Sequence, residues 1–341
     1  MKTTQKQALE FLENINSEDK ILIITHDDLD GFASGILFYD YLTQIKSIPK
    51  QNINVKIKRI GKDPISKKEL NEYNKILISD LSPNTISEIL EIIQKNSIST
   101  LYIDHHEKPT ETIIPKNIIE IRNPEQSSAA KIIYHLFELL IPEKLKQIQN
   151  KRQWILPAIM LADCESHNPK KNLQYLENYL NKNNLTIENL ADVMIQLGNV
   201  FVYFYDNLKK AFELLEQTYT LEQLKKLQEY SKEVSEERNK IVSDFENNHE
   251  QIGKIKFYYF EPKFHITSEV STQISSSHQN EIVILAAPTE DGKIKISARN
   301  QTGQFNMVEL LKFATQNLEN SSSGGHKPAA GAAFMKQELE K

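Results

Sequence analysis

KILIITHDDLDG, residues 20–31, is the segment on which the reading of the fold turns. Its aliphatic half is a compact strand, Lys20 to Thr25, and its second half sets His26, Asp28 and Asp30 at alternate positions on the loop beyond the strand end. Gly31 permits a tight turn and a close approach of helix to loop, and a helical pattern then runs from Phe32 to Ile45. The same alternation continues outward. A β-rich stretch covers Ile53 to Ile60, and a strand from Ile76 to Ser79 ends at Asp80. Ser82-Pro83-Asn84 has the chemistry of a turn and N-cap for a helix to about Gln94; a strand from Thr100 to Ile103 ends at Asp104, and Ile118 to Ile121 completes the series. Strands alternating with helices predict an α/β fold with a mostly parallel sheet flanked by helices, in which ligands gather beyond the carboxyl ends of the strands.

Beyond this region the pattern changes twice. From Ser127 to about Asn248 it is almost wholly helical: Ser127 to Leu140 and Trp154 to Asp163 are apolar enough to cover the sheet. Leu221 to Asn248, rich in Glu, Lys and Gln and free of Gly and Pro, predicts a long solvated connector helix. A new strand-bearing unit starts at Ile255 to Phe260, with a strand pair Ile282 to Ala287 and Lys293 to Arg299 around a turn at Thr289 to Gly292. A helix near Asn306 to Asn317, a Ser-Ser-Ser-Gly-Gly loop at 321–325 and a final strand from about Gly331 to Lys336 complete it. The expected organisation is an N-terminal α/β domain over residues 1–215, a helical connector over 216–252 and a smaller α+β domain over 253–341.

The bulk numbers admit this plan. Of 341 residues, 39% are hydrophobic and 26% charged, which is enough apolar surface for an ordinary core. The single cysteine, Cys164, excludes an internal disulfide and reads as a small buried hydrophobe; with no apolar run of membrane-spanning length and no signal-peptide core, the expectation is a cytoplasmic protein that engages no membrane. The net charge of −5 does not advertise a basic nucleic-acid face, but carboxylates gathered around cations would be counted in that sum without their counter-charge.

Four clusters of ligand-type side chains stand at or just past predicted elements: His26-Asp27-Asp28-Leu29-Asp30-Gly31, Asp80, Asp104-His105-His106, and Asp163. Taken singly, Asp28 and Asp30 would be an acidic turn capping a helix, and Asp80 a strand-end turn residue. Together, carboxylates and imidazoles without thiolate suit manganese, magnesium or cobalt rather than structural zinc, and one carboxylate such as Asp80 could bridge two ions. Two divalent ions side by side can stabilise both the attacking and the leaving oxygen at a phosphoryl centre. His135, His167, His249, His265 and His278 have no partner at ligand spacing and read as structural or solvated.

The ordered set His26-x-Asp28-x-Asp30-Gly31, Asp80, Asp104-His105-His106 and Asp163 resembles the motifs of the DHH phosphoesterase superfamily. Near the C-terminus, Gly324-Gly325-His326-Lys327-Pro328-Ala329-Ala330-Gly331 resembles the glycine-rich signature of the DHH-associated substrate domain, and Ser297-Ala298-Arg299 its arginine strand. The resemblance implies that His26, Asp28 and Asp80 hold one manganese ion, and Asp30, Asp80, His105 and Asp163 another. His106 would contact the phosphate or the nucleophilic water, and Asp104 would orient a neighbouring histidine. Arg299 with the Gly324-Gly325-His326 loop would clamp substrate.

The function so implied is a manganese-dependent phosphodiesterase or exonuclease, activating water with two metals and trimming single-stranded or short RNA or DNA oligonucleotides from an end. RecJ-type enzymes typically add an oligonucleotide-binding barrel for which residues beyond Gly331 leave no room, so the chain is more similar to the compact nano-RNase and archaeal RecJ-like forms. Hydrolysis of 3′-phosphoadenosine 5′-phosphate or of a cyclic or linear dinucleotide is the first alternative. A non-catalytic nucleic-acid or replisome-binding member is the second, and a homodimer is compatible with either.

Overall fold

In the computed structural model, the described residues are 3–59, 62–106, 113–124, 128–145 and 185–339, with the separate positions 152, 154, 155, 159, 176, 177, 180 and 181. Two compact units divide the chain, Met1–Gln228 and Glu229–Lys341. No helix among the described residues is long and apolar enough to cross a membrane.

The first unit is built on five strands: β1 (Ile21–His26), β2 (Ile53–Lys58), β3 (Lys75–Ser79), β4 (Ser99–Asp104) and β5 (Ile118–Arg122). All pair in parallel, in the spatial order β2-β1-β3-β4-β5. The helices among the described residues are α1 (Thr3–Glu13), α2 (Leu29–Asp40), α3 (Lys67–Leu70), α4 (Ser87–Asn96), α5 (Ala129–Leu140), α6 (Ile187–Tyr203), α7 (Leu208–Glu216) and α8 (Leu221–Leu224). The central strands β1, β3 and β4 are buried almost throughout on both faces, as the interior of a parallel sheet requires, while the edge strands β2 and β5 are partly exposed. On one face Leu22, Ile24, Ile76, Ile78 and Tyr102 pack with Ile86, Ile89, Leu90 and Ile93 of the α4 region. On the other lie α2 and α5, joined by a stack of Tyr41 on Phe137 with ring centroids 4.8 Å apart.

Two boundaries differ from the sequence reading for local reasons. The first helix starts at Leu29, because the Asp28 side chain caps it by accepting from the Gly31 amide, so Asp30 and Gly31 lie in its first turn. Its expected far end, Tyr41–Ile45, continues as a π-helical turn. Of the expected helix Trp154 to Asp163, Trp154, Ile155 and Ile159 are buried, and most of the rest, with Asp163 and Cys164, lies outside the described residues.

The second unit opens with the long helix α9 (Gln228–Asn248), followed by β6 (Glu250–Ile252), β7 (Ile255–Tyr259), α10 (Thr267–Ser277), β8 (Ile282–Pro288), β9 (Lys293–Arg299), α11 (Met307–Thr315), β10 (Ser322–His326) and β11 (Ala329–Met335). The strands form one mixed sheet, β10-β11-β9-β8-β7-β6, in which only β7 and β8 run parallel. Ile282, Ala286, Ile294, Ile296 and Phe334 pack with Met307 and Leu311 of α11. The expected loop at 321–325 is instead mostly strand: β10 pairs antiparallel with β11 as the sheet's edge. Gly and Ser carry low strand propensity, so this edge is held by its ladder to an apolar neighbour rather than by its own side chains.

One buried ion pair ties helix ends together in the first unit. The Arg152 guanidinium, 1% exposed, reaches Asp40 at the end of α2 with Nε 2.6 Å from Oδ2. It also donates to the carbonyls of Leu215, Glu216 and Thr218, closing the C-terminal end of α7. Removing one partner of a buried pair leaves the other charged and unsatisfied. Arg152→Met is expected to lower the urea-unfolding free energy by about 3–5 kcal/mol. A loss below about 1 kcal/mol, the size found for solvent-exposed pairs, would contradict this account.

Candidate metal centre

In the order β2-β1-β3-β4-β5 the chain direction across the sheet reverses between β1 and β3, and the carboxyl ends flanking that reversal open a crevice. The register carries the candidate residues into it. Thr25 pairs with Ser79 and Ser79 with Ile103, so His26, Asp80 and Asp104 stand one step further along three adjacent strands. Asp80 takes a left-handed backbone, φ 57°, with its amide donating to the Ile103 carbonyl at 3.1 Å. Such backbone strain costs on the order of 1–3 kcal/mol, tolerated best by Asn and Asp, and turns the carboxylate back into the crevice. Gly31 is required by contact: a Cβ there would sit 2.3 Å from the His26 carbonyl oxygen.

The donors converge. His26 Nδ1 is 2.8 Å from Asp28 Oδ2 and 3.9 Å from Asp80 Oδ2. On the other side of Asp80, His105 Nε2 is 3.3 Å from Oδ1 and 3.7 Å from Asp30 Oδ2. His26, Asp28 and Asp80 offer ligand atoms all within 4.8 Å of one another, and so do Asp80, His105 and His106. Asp80 is common to both sets. His106 therefore stands among the donors themselves, beside the role in contacting substrate that the resemblance implies. Asp30 is held differently: its two oxygens accept from the Ala129 and Ala130 amides at 2.7 and 2.9 Å, so the carboxylate closes the N-terminus of α5.

This arrangement is electrostatically unbalanced. Burial, reinforced by the charges of Asp30 and Asp28, pushes the Asp80 carboxyl well above the usual carboxylate range. Burial and the Asp28 charge raise Asp30 to about 7, against the pull of the two α5 amides. At Asp28 crowding also opposes ionisation, but the hydrogen bond and charge of His26 outweigh it and hold the group at about 2. Its side chain keeps 55% of its surface in solvent. Burial disfavours the cationic form of His26, yet the neighbouring carboxylates raise it on balance. Asp80 Oδ2 is buried and accepts no hydrogen bond. A buried orphan oxygen among carboxylates and imidazoles fits a hard divalent cation, which would replace the missing positive charge.

Asp104, fully buried, offers no oxygen to the converging ligand atoms but holds His105 and His106 from behind. Its Oδ1 lies 2.7 Å from His106 Nδ1 and accepts from the His105 and His106 amides, and its Oδ2 meets Arg122. The hydrogen bond to His106 and the Arg122 charge together outweigh burial and hold Asp104 below the ordinary range. Arg122 escaped the sequence reading. The available signal was its position, a polar residue ending the strand next to the one that ends in Asp104.

Arg299, Gly324, Gly325 and His326 belong to the second unit. Arg299 pairs with Ala329 and Ala329 with His326, so Arg299 and His326 lie in one row across the sheet and leave the same face. The half-buried Arg299 guanidinium has no carboxylate at salt-bridge distance among the described residues; Nη2 is 3.3 Å from the Ser268 hydroxyl, and Nε is buried without a partner. Gly325 has φ +137°, and a Cβ there would sit 2.6 Å from the Ala329 carbonyl oxygen. His135 contacts Glu138, His249 the Phe245 carbonyl, and His278 both Glu246 and Glu281. His167 lies outside the described residues.

Carboxylates and imidazoles at the switch point of a parallel α/β sheet, in a chain whose second unit has a mixed sheet, define the class to which the DHH family belongs. The chain is a member of that family: residues 20–164 match the DHH family, N-terminal domain, and residues 256–341 the DHHA1 domain. Among solved structures, the exonuclease RecJ bound to manganese matches with TM-score 0.70 at 15% identity, over 98% of this chain and 91% of that one. RecJ from Thermus thermophilus in complex with Mn2+ matches with TM-score 0.64 at 16% identity, over 99% of this chain and 53% of that one. The pGpG-specific phosphodiesterase PggH from Vibrio cholerae matches with TM-score 0.50 at 15% identity, over 94% and 95%. At these identities the likeness is one of fold. No curated protein matches the chain by sequence.

Two outcomes are expected of this geometry. A folded-state pKa raised above the unfolded value means that the native metal-free protein holds extra protons between about pH 4 and 7, so its stability falls as pH rises through that window. A divalent cation cancels the repulsion, and the rise in melting temperature on adding manganese should be larger at about pH 8 than at about pH 5.5. A shift of equal size at both, measured by differential scanning fluorimetry, would contradict the charge imbalance. Gly31→Ala should abolish saturable manganese binding in calorimetric titration, because the His26 loop must retreat from the added methyl; wild-type binding in that variant would show the close approach to be dispensable.

Proposed function

We propose that the protein is a divalent-metal-dependent phosphodiesterase that trims single-stranded or short oligonucleotides from an end, with manganese as the preferred metal. The observation that carries this reading is the buried Asp80 carboxylate, flanked by His26 on one side and His105 on the other, with one oxygen left unpaired. His26, Asp28 and Asp80 would hold one ion, and Asp30, Asp80 and His105 a second, with Asp163 as a further ligand. Bound there, the ions would supply Lewis acidity toward the phosphoryl group and toward water.

The chain's own residues do the rest. Asp80 fixes the spacing of the two ligand sets, because one carboxylate belongs to both. Asp30 is kept in position by the α5 amides, and His106 by Asp104. His106, 45% exposed at its side chain, is the group free to meet a phosphate oxygen or the attacking water. In the second unit, Arg299 and the Gly324-Gly325-His326 edge would bind the terminal nucleotide through its phosphate. An arginine fork with no carboxylate at salt-bridge distance among the described residues suits that task, as does backbone that no side chain obstructs. The DHH fold is shared with the exonuclease RecJ and with a pGpG-specific phosphodiesterase, which supports nucleotide phosphodiesters as the substrate class.

The test is digestion of RNA and DNA oligomers labelled at one end, from dinucleotide to about twenty residues, with manganese added or chelated. End-first shortening that requires the metal is expected, with Asp80→Ala and His105→Ala each lowering kcat more than about 100-fold. Full activity in the double variant would end the proposal. Turnover confined to pGpG or to 3′-phosphoadenosine 5′-phosphate would move the substrate to the dinucleotide or mononucleotide class, and binding without turnover would make the protein a non-catalytic binder. Arg299→Ala is expected to raise KM for oligomers with kcat changed less than about threefold, the pattern of lost uniform binding; an unchanged KM would remove Arg299 from the substrate site.

A further inference from the structure

Arg122 ends β5, and its side chain is 9% exposed. Nη1 donates both to Asp104 Oδ2 at 2.5 Å and to the main-chain carbonyl of His106 at 2.7 Å. Nη2 meets the Tyr102 hydroxyl at 3.3 Å, and Nε meets Glu120 at 2.8 Å. Behind this fork, Asp104 is fully buried, with Oδ1 facing the His105 and His106 amides at 2.8 and 3.2 Å and His106 Nδ1 at 2.7 Å.

The two oxygens of Asp104 thus have different tasks. A carboxylate held on one oxygen by a guanidinium and on the other by N–H groups cannot rotate without breaking one set. Because an ionised carboxylate only accepts, the proton of a neutral His106 ring must sit on Nδ1, which leaves Nε2 bare on the far edge of the ring. Neutralising a buried charge would need only the contact to Asp104. The second contact, to the His106 carbonyl, holds the backbone of the histidine itself.

We propose that Arg122 is a positioning residue for the hydrolysis: its fork locks Asp104 and the His106 main chain, so that the imidazole stays in the Nδ1–H tautomer and offers Nε2 as a hydrogen-bond acceptor to the attacking water. This rests on the reading of the site as a phosphodiesterase, and the experiment separates the two.

In the full chain, Arg122→Met is expected to lower kcat on a short RNA oligomer with manganese by roughly 10–100-fold, while KM and manganese affinity move less than about threefold. Removal of this buried partner is expected to lower the melting temperature in any case; loss of manganese affinity in proportion to kcat would indicate a structural prop and overturn the proposal. Arg122→Lys supplies charge without the fork, and it should recover less than about threefold of the loss. Wild-type kcat in Arg122→Lys would reduce the role to charge and also overturn it. In a His106→Ala background Arg122→Met should cost less than about twofold more, whereas an equal cost in both backgrounds would mean that Arg122 does not act through His106. A readout independent of turnover is the long-range proton–nitrogen correlation spectrum of histidine-labelled, metal-free protein at a pH where the ring is neutral. His106 should show the Nδ1–H form in wild type and a mixture in Arg122→Met; an unchanged tautomer would overturn the proposal. If the wild-type protein hydrolyses no phosphodiester, the functional reading fails on its own, and this spectrum still decides the role of Arg122.

Discussion

Asp80 is the constraint on which the first unit depends. Its carboxylate is buried at the point where the sheet changes direction, faces Asp28 and Asp30, and has only imidazoles to oppose it. Proteins bury charge when something pairs with it, and the pairing here is incomplete. The group rises far above its normal pKa, and one of its oxygens accepts nothing. Such a site has two ways to relax: it can hold protons, or it can take a cation. The fold is shared with RecJ structures that hold manganese, and the donor set here suits the second.

The surrounding scaffold holds these groups in their strained places. The parallel register puts His26, Asp80 and Asp104 in one row. The left-handed turn at Asp80, the absence of a Cβ at Gly31 and the first amides of α5 each fix one donor. Arg122 and Tyr102 then secure Asp104 from behind. Local conformation, helix electrostatics and buried hydrogen bonds point to the same geometry, which leaves the donors little freedom before any ligand arrives.

Much of this was legible in the sequence because the signals are local. Aliphatic runs such as Ile21 to Ile24 define strands, and a strand end is where a parallel sheet presents chemistry, so His26, Asp28, Asp80 and Asp104-His105-His106 could be gathered from their joint occurrence at strand ends and their resemblance to an ordered set of motifs. Other features escaped for physical reasons. The edge strand Ser322–His326 has no side-chain pattern, since its order comes from the ladder to β11. Helix α10, Thr267–Ser277, is rich in serine and threonine, whose hydroxyls favour turns, and it becomes a helix by packing on β8 and β9. Arg122 and the amides of Ala129 and Ala130 act through contacts between residues far apart in the chain, which spacing does not encode. Asp28 makes two contacts at once, capping α2 through Oδ1 and facing His26 through Oδ2, so the capping role leaves the second oxygen directed at the crevice.

The account stands or falls on whether Asp80 is shared between two cations. Crystals grown with manganese and measured at its absorption edge would answer this directly through the anomalous difference map. Two peaks, one beside each oxygen of Asp80, with His26 and Asp28 around one and His105 around the other, are what the account predicts. Peaks only at sites away from Asp80, or one ion that leaves Asp80 uncoordinated, would contradict it.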